Sequence, residues 1–316
     1  MSELFRNVEA RTRLAGTNKL EILLFTLGVD ARTGRRETFG LNVFKVREVL
    51  KAPPVTAAPE MPGVVEGMVS MRGTLVPVIH LGRYTGIASG SPSEVMVVTE
   101  YNGHTQGFLV EAVDTILRLD WGSMRVPPDL LNAHMSSLVT AVTELADGRL
   151  VMMLDVEKIL AETAPPQDET VFHSIRPVSA THGMVFFADD SAVARQQIAR
   201  TLDAMAVRHR SAINGLRAWE DLQRLAAHAE ALGEPVSQHI RLILTDIEMP
   251  EMDGYMLTRR IKADPRFSQV PVLMHSSLSS SSNERLGHSV GVDAYVPKFE
   301  PHRLAETVAE LLSKAA

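Results

Sequence analysis

Apolar residues in the first half of the chain come in short runs divided by turn formers: LEILLFTLG, TFGLNVF, GMVSMRG, TLVPVIHL, EVMVVTEYNG, QGFLVEAV, SLVTAVTELADG and RLVMMLDV all lie between residues 20 and 156. Valine, isoleucine, threonine and phenylalanine recur in them, side chains that suit a pleated, half-buried surface. Asn102-Gly103 and Asp147-Gly148 fall between runs as hairpin turns. The pattern predicts a mainly-β half whose regularly spaced strands form one or two small barrels rather than an open sheet.

The periodicity changes after residue 160. Pro165, Pro166, Gln167, Asp168, Glu169 and Pro177 interrupt any apolar period, which predicts an exposed linker. Beyond it, MVFFAD and RLILTD are short apolar runs ending in acid, VPVLMHSS ends in hydroxyls and AYVPK ends in lysine. Between them lie helical patterns: one capped by Ser191 and running through Val193, Ile198 and Leu202, and others at 216–232, 255–262, 283–289 and 302–312. Alternating continuous apolar strands and helices predict an α/β domain, a parallel sheet covered on both faces. The expected organisation is a β domain at 17–160, a linker at 161–182 and an α/β domain at 183–316. The segment 216–232, with Trp219, Leu222, Leu225 and Leu232, reads either as core packing with a surface extension or as a docking face.

Composition narrows the functional classes. The chain of 316 residues carries a net charge of -6, with 16 basic against 18 acidic residues in 1–160 and 16 against 20 in 161–316. Neither half has the basic excess that a nucleic-acid surface needs. Cysteine is absent, which removes disulfides and thiolate chemistry and agrees with a reducing cytosol. No run is long and apolar enough to span a membrane, and charged residues break up the first sixteen positions. A cytoplasmic protein without membrane insertion is expected.

The chemistry concentrates at the strand ends of the α/β half, where ligands bind in such folds. Asp189, Asp190 and Asp246 would meet at one edge of the sheet, and such a group of carboxylates repels itself unless a hard divalent cation, most suitably magnesium, intervenes. Ser276 and Lys298 add a hydroxyl and a fixed positive charge. A carboxylate nucleophile, a metal, a hydroxyl and an ammonium together suit phosphoryl transfer. Singly each reads as a cap or a solvated charge.

With Asp189-Asp190, LTDIEMPEMDGY, Ser276-Ser277 and Lys298 in this order, residues 183–316 resemble the response-regulator receiver family, the fold of CheY. The resemblance implies a five-stranded parallel sheet, with Asp246 as phosphoacceptor and magnesium held by Asp190, Asp246 and the backbone carbonyl of Glu248, Asp189 acting largely through water. It also implies that Ser276 binds a phosphoryl oxygen, that Lys298 pairs with the phosphoryl group, and that Tyr295 is an aromatic switch; Tyr295 equally reads as a packed strand residue. Two departures stand out. Phe299 replaces the usual proline after the lysine, and the Glu248 side chain adds a further acid.

The β half holds no comparable cluster. His80, His104 and His134 are scattered without metal-ligand spacing, and no phosphate-binding glycine loop occurs. FGLNVFKVREVL, GVVEGMVSMRGTLVPVIHL and RLVMMLDVEKIL resemble CheW, whose fold is two five-stranded β-barrel subdomains and which joins chemoreceptors to the histidine kinase CheA. Met71-Arg72-Gly73 matches the family's Leu-Arg-Gly-like triplet, and the resemblance puts Glu48, Val49 and Arg72 on a partner-binding surface. From pattern alone Val49 reads equally as core and Arg72 as a solvated arginine. The fusion, with Gly16-Thr17-Asn18 ahead of the first strand, resembles CheV. A non-enzymatic coupling adaptor is therefore expected, controlled by aspartyl phosphorylation. The alternatives are a phosphate sink or an aspartate-based phosphatase using Glu248, two residues after the nucleophile, as acid/base.

Overall fold

The computed structural model describes residues 19–57, 63–87, 89–101, 104–127, 138–163, 170–178, 183–276, 289–298 and 300–314. Gly16-Thr17-Asn18, the Asn102-Gly103 turn, His134, Ser277, most of the expected helix at 283–289 and Phe299 lie outside them. The chain divides into two compact units, Leu20–Pro165 and one that contains Pro166–Ala316.

The first unit follows the strand pattern: β1 (Lys19–Val29), β2 (Arg36–Asn42), β3 (Val46–Lys51), β4 (Val65–Met71), β5 (Thr74–His80), α1 (Leu81–Thr85), β6 (Val95–Tyr101), β7 (His104–Val110), β8 (Ala112–Asp120), β9 (Val139–Glu144), β10 (Leu150–Leu154) and α2 (Val156–Thr163). They form two five-stranded sheets, β8-β1-β2-β10-β9 and β3-β6-β7-β5-β4. Asn42 turns the chain from one sheet to the other: its side chain accepts a hydrogen bond from Phe44 N at 3.1 Å and caps the single turn Val43–Lys45. The apolar run of β1 is nearly continuous because both of its faces are covered. Leu20, Ile22 and Leu24 pack with Trp121, Val151 and Met153, whereas Leu23, Phe25 and Leu27 pack with Phe39 and, from the second sheet, Val97 and Phe108. The second sheet has its own cluster around Val69, Val78, Met96 and Val98. A buried Glu157 on α2 pairs with Lys45 at 3.0 Å, tying the last helix of the unit to its first sheet crossing.

The second unit contains α3 (Thr170–His173), β11 (Met184–Ala188), α4 (Ala192–Ala204), β12 (His209–Ala212), α5 (Gly215–Leu232), α6 (Val236–His239), β13 (Ile240–Thr245), α7 (Gly254–Ala263), β14 (Val272–Ser276), β15 (Ala294–Pro297) and α8 (Pro301–Lys314). The strands run parallel in the order β12-β11-β13-β14-β15, the doubly wound order shared by flavodoxin and CheY. Alternate strand residues face opposite ways. Phe186, Ile243 and Val272 meet α5 and α7, while Val185, Phe187, Leu244 and Leu273 meet α4 and α8. The apolar face of α5 lies in this core through Ala218, Leu222, Ala226 and Ala229, with Leu232 left exposed at its end.

The segment expected as an exposed linker is partly ordered onto this unit. Ile175 is buried, and Phe172 and Val178 pack against the α4 and α8 cluster. The three residues are spaced by threes, a face too short to register as a sustained period among the polar residues around it.

Candidate functional site

Asp189 and Asp246 follow directly on β11 and β13, and the ladder bond from Asp246 N to Ala188 O (2.8 Å) fixes the two strand ends side by side. One carboxylate oxygen from each of Asp189, Asp190 and Asp246 falls within 4.8 Å of the others. Lys298, just past β15, reaches into this cluster with its side chain fully buried. Its Nζ lies 2.8 Å from Asp189 Oδ2 and 3.0 Å from Asp246 Oδ2. The remaining oxygens of the two acids are held by backbone: Asp189 Oδ1 accepts from Ser191 N (2.9 Å) and Asp246 Oδ1 from Ile247 N (2.7 Å). Arg195 donates to the carbonyl oxygens of Asp189 and Asp190, both at 2.9 Å, and so orients the turn without entering the carboxylate cluster.

Burying two carboxylates is costly unless cations and hydrogen bonds compensate. Against three carboxylates Lys298 supplies one positive charge, so the group retains an excess of negative charge suited to a divalent cation. An all-oxygen donor set of this spacing fits a hard ion such as magnesium. Glu248, 7% exposed, adds another acid from the following loop.

The loop after Asp246 is tightly folded, and its sequence explains how. Gly254 N donates to Ile247 O at 2.8 Å, and a Cβ on Gly254 would sit 1.9 Å from the Asp246 carbonyl oxygen, so no other residue fits there without moving the site. Asp253 caps α7, accepting from Met256 N at 2.6 Å. Glu251 adopts φ 65° and accepts from the buried Asn214 side chain at 3.0 Å. The Asp-Gly pair at 253–254 thus sets both the helix start and the close backbone approach.

Ser276, buried at the end of β14, pairs with Pro297, and its carbonyl accepts from Lys298 N at 3.0 Å. The hydroxyl-bearing and ammonium-bearing residues are therefore neighbours across the sheet. Tyr295 packs part-buried against Ile247, Tyr255, Met274, Val290 and Val292, so it is a packed strand residue that also abuts the residue following Asp246. Tyr255 is a member of the site's surroundings that the sequence pattern indicated only as a helix residue. It is fully buried, and burial, with Tyr295 and the acids Asp253, Glu248 and Asp246 adding to it, pushes its phenol well above the ordinary tyrosine range.

In the first unit, Arg72 and Gly73 form the two-residue turn between β4 and β5, with Met71 paired to Thr74. Both have positive φ, 51° and 85°, as a primed hairpin turn requires. For a non-glycine residue this conformation costs roughly 1 kcal/mol, a strain that asparagine or glycine would reduce. The guanidinium is 74% exposed and contacts Glu48 of β3 at 3.2 Å. Val49 turns the other way and packs part-buried against the cluster shared by the two sheets. Leu75, two residues beyond the turn, is 66% exposed. His80 caps α1, accepting from Arg83 N at 3.3 Å through Nδ1, with burial lowering its pKa. It is a structural histidine. Among the described residues no helix is long and apolar enough to cross a membrane.

Comparison with known proteins covers both units. Residues 22–164 match the CheW-like domain family, and residues 185–309 match the response regulator receiver domain family. Chemotaxis protein CheV3 of Helicobacter pylori is 29% identical over 312 residues, 95% of this chain and 96% of that protein. Chemotaxis protein CheV1 of the same organism is 27% identical over 334 aligned positions and covers both chains in full. Chemotaxis protein CheW of Klebsiella aerogenes is 28% identical over 154 residues, 48% of this chain and 87% of that one. The chain therefore joins a CheW-like domain to a response regulator receiver domain, and in that arrangement it is similar from end to end to chemotaxis proteins of the CheV type.

Proposed function

We propose that the protein is a cytoplasmic adaptor that couples chemoreceptors to a CheA-type histidine kinase, and that phosphorylation of Asp246 regulates this coupling. The observation that carries the regulatory reading is the buried Lys298 ammonium lying within 3.0 Å of both Asp189 and Asp246, beside Ser276. In the transfer step a carboxylate oxygen of Asp246 attacks the phosphorus of the donor phosphohistidine. The new O–P bond forms as the P–N bond breaks, and the imidazole leaves with a proton taken up on nitrogen. Lys298 and the Ser276 hydroxyl would engage the phosphoryl oxygens, and the backbone N–H of Ile247 holds the nucleophile's orientation. Asp189, Asp190, Asp246 and the carbonyl of Glu248 would hold magnesium, which supplies positive charge against the carboxylates and the incoming phosphoryl group.

The protein acts stoichiometrically, as an adaptor rather than an enzyme turning over free phosphoesters. A phosphotransfer assay from a purified chemotaxis kinase, with magnesium and with a chelator, tests this. One phosphoryl group per chain in the presence of magnesium is expected, and none with chelator. Turnover of a small phosphoester at a steady rate would instead identify an aspartate-based phosphatase with Glu248 as its acid/base. Retention of full receptor-array signalling without Asp246, with only the kinase's phosphoryl groups draining more slowly, would favour a phosphate sink.

Glu48, Val49 and Arg72 are proposed to mark the coupling surface, with Val49 mainly supporting it from within. A residue held in a strained backbone conformation at an exposed turn, in a hairpin that also exposes Leu75, is better suited to docking than to folding. Arg72→Ala should weaken binding to receptor and kinase complexes roughly tenfold. The melting curve should stay nearly unchanged, because the exposed pair with Glu48 contributes at most about 1 kcal/mol. Equal binding by variant and parent, measured by co-sedimentation with receptor arrays, would remove Arg72 from the surface.

A further inference from the structure

Between the two family matches, residues 170–178 fold onto the face of the receiver sheet covered by α4 and α8. Ile175 is buried in that face, and Phe172 and Val178 are half-buried against it. Val178 N donates to Met205 O at 3.0 Å. The Arg200 guanidinium lies 4.4 Å from the centroid of the Phe172 ring, a cation–π contact, and Ser174 Oγ lies 3.2 Å from His302 Nε2. Phe172 lines a small, partly open pocket of about 10 Å³, room for about one water. Ile198 and Thr201 of α4 form one wall, and His275, Glu300 and Pro301 form another.

The second wall is continuous with the acid site. Buried His275 immediately precedes Ser276, and Glu300 and Pro301 follow Lys298 by two and three positions. The strand ends that carry the hydroxyl and the ammonium thus lead into the pocket that Phe172 lines. We propose that residues 172–178 are a strap whose hold on the α4 and α8 face is set by the state of the acid site. The proposal rests on Asp246 being the phosphoacceptor. Drawing Ser276 and Lys298 toward a phosphoryl group displaces His275 and Pro301 relative to Ile198 and Thr201. The side chains around Phe172 and buried Ile175 are packed closely enough to pass such a movement on, so Phe172 loses its seat. The strap then returns to the interdomain connection, and the receiver's state reaches the linker through this chain's own residues.

Hydrogen exchange of the full chain with magnesium, with and without beryllofluoride, tests the strap. Beryllofluoride should slow exchange in the 246–254 loop and speed exchange of amides 170–178 by about fivefold or more, the lower end of typical coupling between sites. Because coupling is reciprocal, Phe172→Ala should raise the affinity for beryllofluoride by a similar factor. Arg200→Gln, which removes the cation–π contact, should act in the same direction to a smaller extent. A response of the 246–254 loop with no change at 170–178, and unaltered affinity in Phe172→Ala, would overturn the strap alone. No response at either place would overturn the phosphoacceptor reading and the strap with it.

Discussion

Asp246→Asn is expected to abolish phosphoryl acceptance while leaving the receiver folded. The substitution keeps the side chain's shape, and its oxygen still accepts from Ile247 N, the contact made at 2.7 Å in the parent. The neighbouring pair between Lys298 and Asp189 at 2.8 Å is not touched. What is lost is the anionic oxygen proposed to attack phosphorus, and an amide does not replace it. Intact mass after incubation with magnesium and a small phosphodonor should show one added phosphoryl group on the parent and none on the variant, with matching melting curves. Gain of the same single group by Asp246→Asn would place the acceptor elsewhere.

Lys298→Met should have the largest effect on stability. Methionine fills most of the same space but carries no charge, so two carboxylates, 0% and 4% exposed in their side chains, would face each other without their shared ammonium. Removing one partner from a buried ion pair typically costs about 3–5 kcal/mol, which in a domain of this size lowers the receiver's melting temperature by roughly 10 °C. Magnesium should recover much of the loss, because a divalent ion in the carboxylate cluster replaces the missing positive charge. Melting scans of the full chain with magnesium and with chelator measure both effects. An unchanged melt in chelator would show that Lys298 is not compensating the buried acids. A lowered melt that magnesium leaves untouched would argue against a metal among Asp189, Asp190 and Asp246.

The acid site is legible in the sequence because its members end apolar runs. In a parallel sheet those ends lie on one edge whatever the order of the strands, so Asp189, Asp246, Ser276 and Lys298 converge by topology class alone. The division into a β half and an α/β half was legible for a similar reason: a period of two and a period of 3.6 are local properties of the chain. The start of α7 was also encoded locally, through Asp253 and Gly254.

Other features depended on which segments become neighbours. Arg72 and Glu48 are 24 residues apart and meet because the turn between β4 and β5 comes close to β3, an arrangement no local pattern encodes. The positive φ of Arg72 follows from hairpin closure in two residues and not from any preference of arginine. The placement of Tyr255 against Tyr295 and the acids depends on α7 packing beside β14 and β15. Phe172, Ile175 and Val178 read as linker because three apolar residues among prolines and charges make no period, yet the α4 and α8 face accepts all three. Sequence determined which residues face inward and which strand ends carry chemistry, since both are set within a few residues of the backbone. Tertiary structure decided which surfaces those residues share, since that depends on contacts whose partners are distant in the chain.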